Sequence, residues 1–196
     1  MKKKITVIAL IVAMVAVLAL GTAAYFTADG TATNVITAGS VKIKLHETTV
    51  KEEGAEPVPF EDVSGVMPGS VVSKIVTVEN TGSGTAWVRI SVTKAIELAQ
   101  GLEGETDLDL VGLDIDTEHW TEREGYYYYN APLAAGEMTE PLFTAVTFAR
   151  SMGNLYQGST ATVSVLAQAT QCANNGASAL EAAGWPAAGE EGGAKA

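Results

Sequence analysis

Apolar and polar residues alternate with a period of two through much of this chain. Val41, Ile43 and Leu45 are separated by Lys42 and Lys44, and the same period recurs over residues 86–93 and 160–168. Successive side chains of a β-strand point to opposite faces, so each run predicts a strand with one buried face. Turn residues separate the runs and no long helical period appears. These features predict an all-β fold, a β-sandwich or jelly roll.

A hairpin is predicted near the middle of the chain. Val71 to Val78 is rich in β-branched residues and predicts a more fully buried strand. Residues 80–84, Asn-Thr-Gly-Ser-Gly, separate it from the alternating run over 86–93 and supply the positive-φ positions of a short loop.

Other segments are less regular. Residues 47–62 mix charge with glycine and proline and predict a loop, whereas 95–102 and 177–183 have the composition of short helices. Trp185 and Pro186 are expected to dock the second helix onto the body. From residue 187 the chain lacks apolar anchors, so we expect a disordered tail there.

The first 24 residues have the three-part layout of a secretory signal peptide. Three lysines at 2–4 precede an uncharged apolar run from Ile5 to Leu20, and Thr22, Ala23 and Ala24 are small residues at the positions that a signal peptidase reads. An uncleaved anchor is the alternative, but the apolar run is shorter than the roughly 20 residues that span a bilayer. We therefore predict cleavage between Ala24 and Tyr25.

Charge and cysteine content restrict the partners and the covalent chemistry. The net charge is −11, and loss of the three lysines makes that of the mature chain −14. Nucleic acid and anionic membrane surfaces both require a basic patch, so neither is an expected partner, and only the uncleaved signal peptide would contact a membrane. The single cysteine, Cys172, excludes an intrachain disulfide and is expected to lie semi-buried near a strand end.

Several motifs carry a resemblance to a known family. They are the junction Gly-Thr-Ala-Ala-Tyr-Phe-Thr-Ala-Asp over residues 21–29, Asn-Val-Ile-Thr-Ala-Gly over 34–39, Met-Pro-Gly-Ser over 67–70, Val-Glu-Asn-Thr-Gly over 78–82, and the tyrosine-rich block from Gly125 to Phe143. Together they resemble the TasA/camelysin family of exported proteins.

The resemblance implies a jelly-roll-like sandwich, export through a SipW-type signal peptidase, and a non-enzymatic protein of the cell surface or biofilm matrix. It further implies fibres in which the freed N-terminal strand of one subunit completes the sheet of the next. Other matrix proteins are possible partners. The implied divisions are a signal peptide (1–24), a donor segment (25–38), a β-sandwich (39–172) and a C-terminal extension (173–196).

The donor segment has the composition that such a role requires. It begins with the apolar residues Tyr25 and Phe26 and contains the strand formers Thr27, Val35 and Ile36. An extended terminus of this kind can add to an exposed sheet edge. The alternatives are a flexible leader, or a strand that pairs within its own domain.

Catalytic and metal-binding motifs are weak. His46 and His119 each adjoin a glutamate, but neither has a second histidine at the spacing of a zinc peptidase, so no cofactor is expected. A camelysin-like metallopeptidase remains the enzymatic alternative. Carboxylates at alternate positions could bind calcium, but interleaved aliphatic residues favour an amphipathic strand with an acidic outer face; they are Asp107, Asp109, Asp114 and Asp116.

Four consecutive tyrosines, Tyr126, Tyr127, Tyr128 and Tyr129, form the remaining candidate site. On a strand, alternate tyrosines face opposite sides, so one pair is expected in the core and the other on the surface. A surface pair could bind a sugar or a neighbouring subunit, as in a monomeric binding module, or it could pack across strands within the sheet.

Overall fold

The computed structural model describes residues 26–33, 41–52 and 54–186. The predicted signal peptide, Tyr25, residues 34–40, residue 53 and the tail from residue 187 lie outside these ranges. The described residues form twelve strands and two single-turn 3-10 helices at Leu108–Leu110 and Asn154–Tyr156. The strands are β1 (Phe26–Thr33), β2 (Ile43–Thr49), β3 (Val58–Pro59), β4 (Val63–Val66), β5 (Val71–Ser73), β6 (Ile75–Asn80), β7 (Ala86–Glu97), β8 (Val111–Leu113), β9 (Trp120–Arg123), β10 (Tyr126–Tyr129), β11 (Ala145–Phe148) and β12 (Thr160–Gln171).

A six-stranded sheet, hereafter the large sheet, has the order β4-β1-β12-β7-β10-β9. Its centre is the antiparallel pair β7 and β12, which runs unbroken from Ala86 opposite Gln171 to Glu97 opposite Thr160. Every second residue of β12 is buried from Ala161 to Ala169, as the alternation predicts. The predicted last strand is therefore confirmed.

Two three-stranded sheets, β3-β2-β6 and β5-β11-β8, form the opposing layer. Backbone hydrogen bonds join them, because residues 137–144 run beside β6: Val76 N donates to Phe143 O, and Leu142 N donates to Val76 O. The main core contains side chains from all three sheets, among them Ile43, Val78, Ile90, Phe148 and Val163. The chain is thus all-β and sandwich-like, as its alternation predicts.

The predicted hairpin over residues 71–93 is wrong. Lys74 interrupts the first strand, so β5 pairs with β11 while β6 pairs with β2. Beyond Asn80 the chain crosses to the other layer, where β7 pairs with β12 and β10. Residues 81–84 do form a loop, in which the Asn80 side chain donates to Gly84 O, but none of the residues 80–84 has the positive φ that was predicted. Turn residues specify a reversal, but which strands pair depends on distant segments.

Four other local predictions are wrong. The proposed helix at 95–102 begins as strand, because β7 extends to Glu97 along β12. The proposed acidic strand at 107–116 contains a 3-10 turn and the short strand β8. Residues 177–183 form turns rather than a helix, and the loop over 47–62 contains the end of β2 and all of β3. In each case tertiary pairing or capping overrides weak local propensity.

None of the helices among the described residues has the length and apolar character needed to cross a membrane.

Candidate functional sites

The N-terminal strand β1 occupies an interior position of the large sheet. It pairs in parallel with β12 from Thr27 opposite Thr160 to Thr33 opposite Leu166, and antiparallel with β4 through Phe26 and Ala28. Of the predicted donor residues, Phe26 and Thr27 lie in this strand, whereas Tyr25, Val35 and Ile36 lie outside the described residues. The donor segment thus pairs, where it is described, within its own domain.

Because β1 lies between β12 and β4, these two strands do not pair with each other. Removal of β1 would leave unpaired backbone N–H and C=O groups along residues 160–166 and along β4. The gap between β12 and β4 is therefore a strand-shaped slot, which the chain fills with its own N-terminal strand.

A buried ion pair, which the sequence analysis did not identify, lies in the opposing layer. The Nζ atom of Lys74 lies 2.8 Å from Glu47 Oε1, and the two side chains are 1% and 6% exposed. Lys74 also donates to Val163 O at 3.3 Å, on the strand that borders the slot, and lies 4.5 Å from the centre of the Phe60 ring. The only sign of this ion pair in the sequence was the position of Lys74, a charged residue within an apolar strand run.

The four tyrosines divide between two clusters. Tyr127 and Tyr129 pack against the main core, and the Tyr129 ring lies 5.0 Å from that of Trp120. Tyr126 and Tyr128 lie on the opposite face of the large sheet, in a second cluster with Trp87. Burial raises the pKa of the Tyr127 hydroxyl, and the negative charge of Glu122 raises it further.

The second cluster surrounds a buried cation. The Arg89 guanidinium stacks on the Tyr126 ring at 3.8 Å and on the Trp185 ring at 4.6 Å. It donates from Nε to Gln168 Oε1 at 2.8 Å and from Nη1 to the Tyr128 hydroxyl at 3.2 Å. The tyrosine pair that could have been a free binding surface is thus covered, with Tyr128 buried and Tyr126 half-buried.

Three of the four candidate calcium ligands, Asp107, Asp114 and Asp116, accept local hydrogen bonds, and Asp109 takes part as a backbone donor. Asp107 accepts from Asp109 N, and Asp116 accepts from the backbone of Glu118 and His119. Asp114 accepts from the backbone and hydroxyl of Thr144 and from Ala145 N. Partial burial opposes ionisation of Asp114, but these hydrogen bonds outweigh it and lower the pKa of its carboxyl.

The two histidines lie on different elements, each with its own carboxylate. His46, on β2, has its Nε2 2.7 Å from Glu79 Oε2 on β6. His119 has its Nδ1 2.7 Å from Asp116 Oδ2, and this hydrogen bond raises the pKa of His119 and lowers that of Asp116. Within the part of the chain that the structure describes, no three His, Cys, Asp or Glu side chains form a group that could hold a metal ion.

Cys172 follows β12 directly and is half-buried. Burial raises the pKa of its thiol, which lowers the thiolate fraction and the reactivity at neutral pH. It lines a surface cavity of about 450 Å³ with Trp87 and Pro132.

No protein-family model, curated protein or solved structure matches this chain.

Proposed function

We propose that the mature chain is a secreted structural protein of the cell surface or extracellular matrix, built as a jelly-roll-like sandwich. Its subunits assemble into fibres by donating the N-terminal strand to a neighbour. The observation that carries the proposal is the position of β1 between β12 and β4. An interior strand at the N-terminal end of the mature chain can in principle be supplied by another copy.

The pairing of β1 uses contacts that are equally available between molecules. Seven consecutive residues of β1 pair with β12. The backbone ladder is the same whether the strand belongs to the same chain or to a neighbour. A subunit that donates its strand leaves its own slot empty, and a third copy can fill that slot. The assembly therefore does not close, and filaments result.

Signal-peptide cleavage supplies the timing in this proposal. Before cleavage, the apolar segment Ile5 to Leu20 precedes β1 in the sequence and would hold it at the membrane. Cleavage by a SipW-type signal peptidase after Ala24 frees the strand outside the cytoplasm, where it can enter a neighbouring slot. Premature assembly inside the cell is thereby avoided.

The test compares mature chains that start at Tyr25 and at Gly39 by size-exclusion chromatography and electron microscopy. The first is expected to form filaments and the second to remain monomeric. A synthetic peptide of residues 25–38 should bind the shorter chain, since it fills the slot. If both chains remain monomeric across concentration and pH, the strand-donation proposal fails.

A point variant tests whether filaments require the backbone hydrogen bonds of β1, as opposed to the mere presence of the N-terminal residues. Ala28 is paired with Ala161 of β12 and with Val63 of β4, so it has a neighbour on each side of the slot. Ala28→Pro removes a backbone N–H from an interior strand and should abolish filaments, whereas the matched control Ala28→Ser keeps the N–H and should preserve them. Filaments formed by Ala28→Pro would contradict assembly through this strand.

The two alternatives are separable in the same preparations. A camelysin-like metallopeptidase would cleave a protein substrate and lose that activity with chelator. A monomeric binding module would bind a glycan or protein without assembling. Neither alternative has a supporting site among the described residues, since the histidines are separately paired and the outer tyrosines are covered.

A further inference from the structure

The outer face of the large sheet contains a recognition site built around a cation. We call it the Arg89 groove and define it by Trp87, Arg89, Tyr126, Tyr128 and Gln168. Arg89 is only 8% exposed, yet among the described residues its hydrogen bonds go to neutral groups alone. Its charge is stabilised by stacking on aromatic rings, an arrangement that suits a planar guanidinium better than an ammonium.

The occupant of this groove is the C-terminal segment, defined as residues 173–186. The centre of its Trp185 ring lies 4.6 Å from the guanidinium carbon, and this ring meets the Tyr128 ring edge-on at 5.7 Å. The Pro186 carbonyl accepts from Arg89 Nη2 at 3.2 Å, and Ala179 is buried in the same cluster. The groove therefore recognises a tryptophan followed by a prolyl carbonyl.

The C-terminal segment holds its own shape. The Asn175 side chain bonds both the carbonyl and the N–H of Ala183, at 2.9 and 2.8 Å. Ala177 N also donates to Glu181 Oε2 at 3.2 Å. The Asn175 amide also donates to Thr170 Oγ1 at 3.2 Å and to Gln171 O at 2.9 Å. The segment is therefore held partly by its own bonds and partly by the end of β12, which every copy of the chain presents.

The segment contributes no strand to either layer. Residues 173–186 contain turns and bends but no strand. The bonds that anchor the segment run from side chains to its backbone carbonyls, such as Trp87 Nε1 to Asn175 O at 3.0 Å and Thr170 Oγ1 to Ala183 O at 3.1 Å. Release of the segment breaks none of the ladder between β7 and β12. The sheet can therefore persist while the groove changes occupant.

An empty groove is unfavourable. Without Trp185, one face of the Arg89 guanidinium loses its ring, and Trp87 and Tyr128 lose their cover. A groove with these properties favours rapid recapture of a segment of matching chemistry.

We propose that the Arg89 groove binds the C-terminal segment of a second copy of this chain as well as its own. The contacts are identical in the two arrangements, so the choice depends on local concentration and on the short connection at Cys172 to Asn174. Reciprocal exchange gives a closed dimer. This inference does not rest on strand donation, because it uses the other end of the chain and the other face of the large sheet.

Complementation between two full-length mature variants, each also carrying Ala28→Pro so that strand donation cannot form filaments, tests the exchange. Trp185→Ala keeps the groove but weakens the segment, whereas Arg89→Ala keeps the segment but destroys the groove. In neither variant does an intact segment meet an intact groove, whether within one chain or between two copies of the same variant. Mixed in equal amounts with different mass tags, they are expected to form a one-to-one heterodimer in native mass spectrometry, with about tenfold more dimer than either variant alone.

Controls keep the outcome unambiguous. Tyr126→Ala replaces Arg89→Ala as the donor if the latter fails to fold, since Tyr126 is only half-buried. The double variant with both Arg89→Ala and Trp185→Ala should form no heterodimer with the Arg89→Ala donor, because neither chain then has a groove. A mixture of folded single variants that remains monomeric overturns the exchange, and so does a heterodimer that forms with this double variant. Failure of strand donation would instead appear as loss of filaments in the unmodified chain.

Discussion

At the scale of single residues, two buried cations are stabilised in different ways. Lys74 has a carboxylate partner, Glu47, in the opposing layer, whereas Arg89 is stacked between aromatic rings. The difference follows from the chemistry of each group, since an ammonium is a compact, strongly hydrated charge and a guanidinium is planar and weakly hydrated. Both cations interrupt otherwise apolar or β-branched runs, and each links strands that are distant in the sequence.

The Lys74–Glu47 pair yields the first prediction. Lys74→Met leaves the Glu47 carboxylate buried without its partner and should lower the free energy of unfolding by about 3–5 kcal/mol. The double variant Lys74→Met, Glu47→Leu removes both charges and should recover most of that loss. Urea denaturation measures each variant, with Lys42→Met as an exposed control that changes stability by less than about 0.5 kcal/mol. A double variant less stable than the single one would contradict the assignment.

At the scale of elements, the hairpin of β9 and β10 has the most local origin. Tyr126 pairs with Arg123, and the two residues between them, Glu124 and Gly125, both have positive φ, at 54° and 79°. This is the two-residue turn whose twist matches that of the flanking strands. Glutamate is an unusual choice at such a position, so the turn stores strain that a substitution can relieve.

The second prediction concerns this turn. Gly125→Ala meets no atom within 4 Å, so its cost is conformational alone, and it should lower the free energy of unfolding by about 1 kcal/mol. Glu124→Asn places a residue that tolerates positive φ and should raise it by up to about 1 kcal/mol. Thermal unfolding measures both. Equal and neutral effects of the two substitutions would show that the turn is not specified by its backbone conformation.

At the scale of the whole molecule, two terminal segments complete the sandwich from opposite ends of the chain. The N-terminal strand fills the slot in the large sheet, and the C-terminal segment covers its outer face. The net charge is −11, and the proposed cleavage after Ala24 would make it −14 by removing Lys2, Lys3 and Lys4, so identical copies repel one another. The two proposed exchanges would therefore work against electrostatic repulsion.

Repulsion between copies leads to the third prediction. Raising the salt concentration from about 0.01 to about 0.15 M shortens the Debye length from about 30 to about 8 Å and should speed filament growth of the chain that starts at Tyr25. Light scattering follows the growth. Replacing the exposed Glu52, Glu56 and Glu61 with glutamine should speed growth at low salt and flatten the salt dependence. Slower growth at higher salt would contradict this electrostatic account.

The alternation of side chains by itself determined which strands form around Val41, Ile43 and Leu45 and along Ala161 to Ala169, and which of their faces is buried. A period of two is a local property, and burial of one face follows from it whatever the neighbouring strand is. The same pattern correctly indicated an all-β chain. It also separated the four tyrosines into two faces.

Only the tertiary structure decided which strands are neighbours. Lys74 divides one apolar run between two sheets, the chain crosses layers after Asn80, and β1 enters between β12 and β4. The Arg89 groove likewise requires side chains from β7, β10 and β12 and a ring from residue 185. Pairing partners are selected by the summed packing of segments far apart in the sequence, and no local period carries that information.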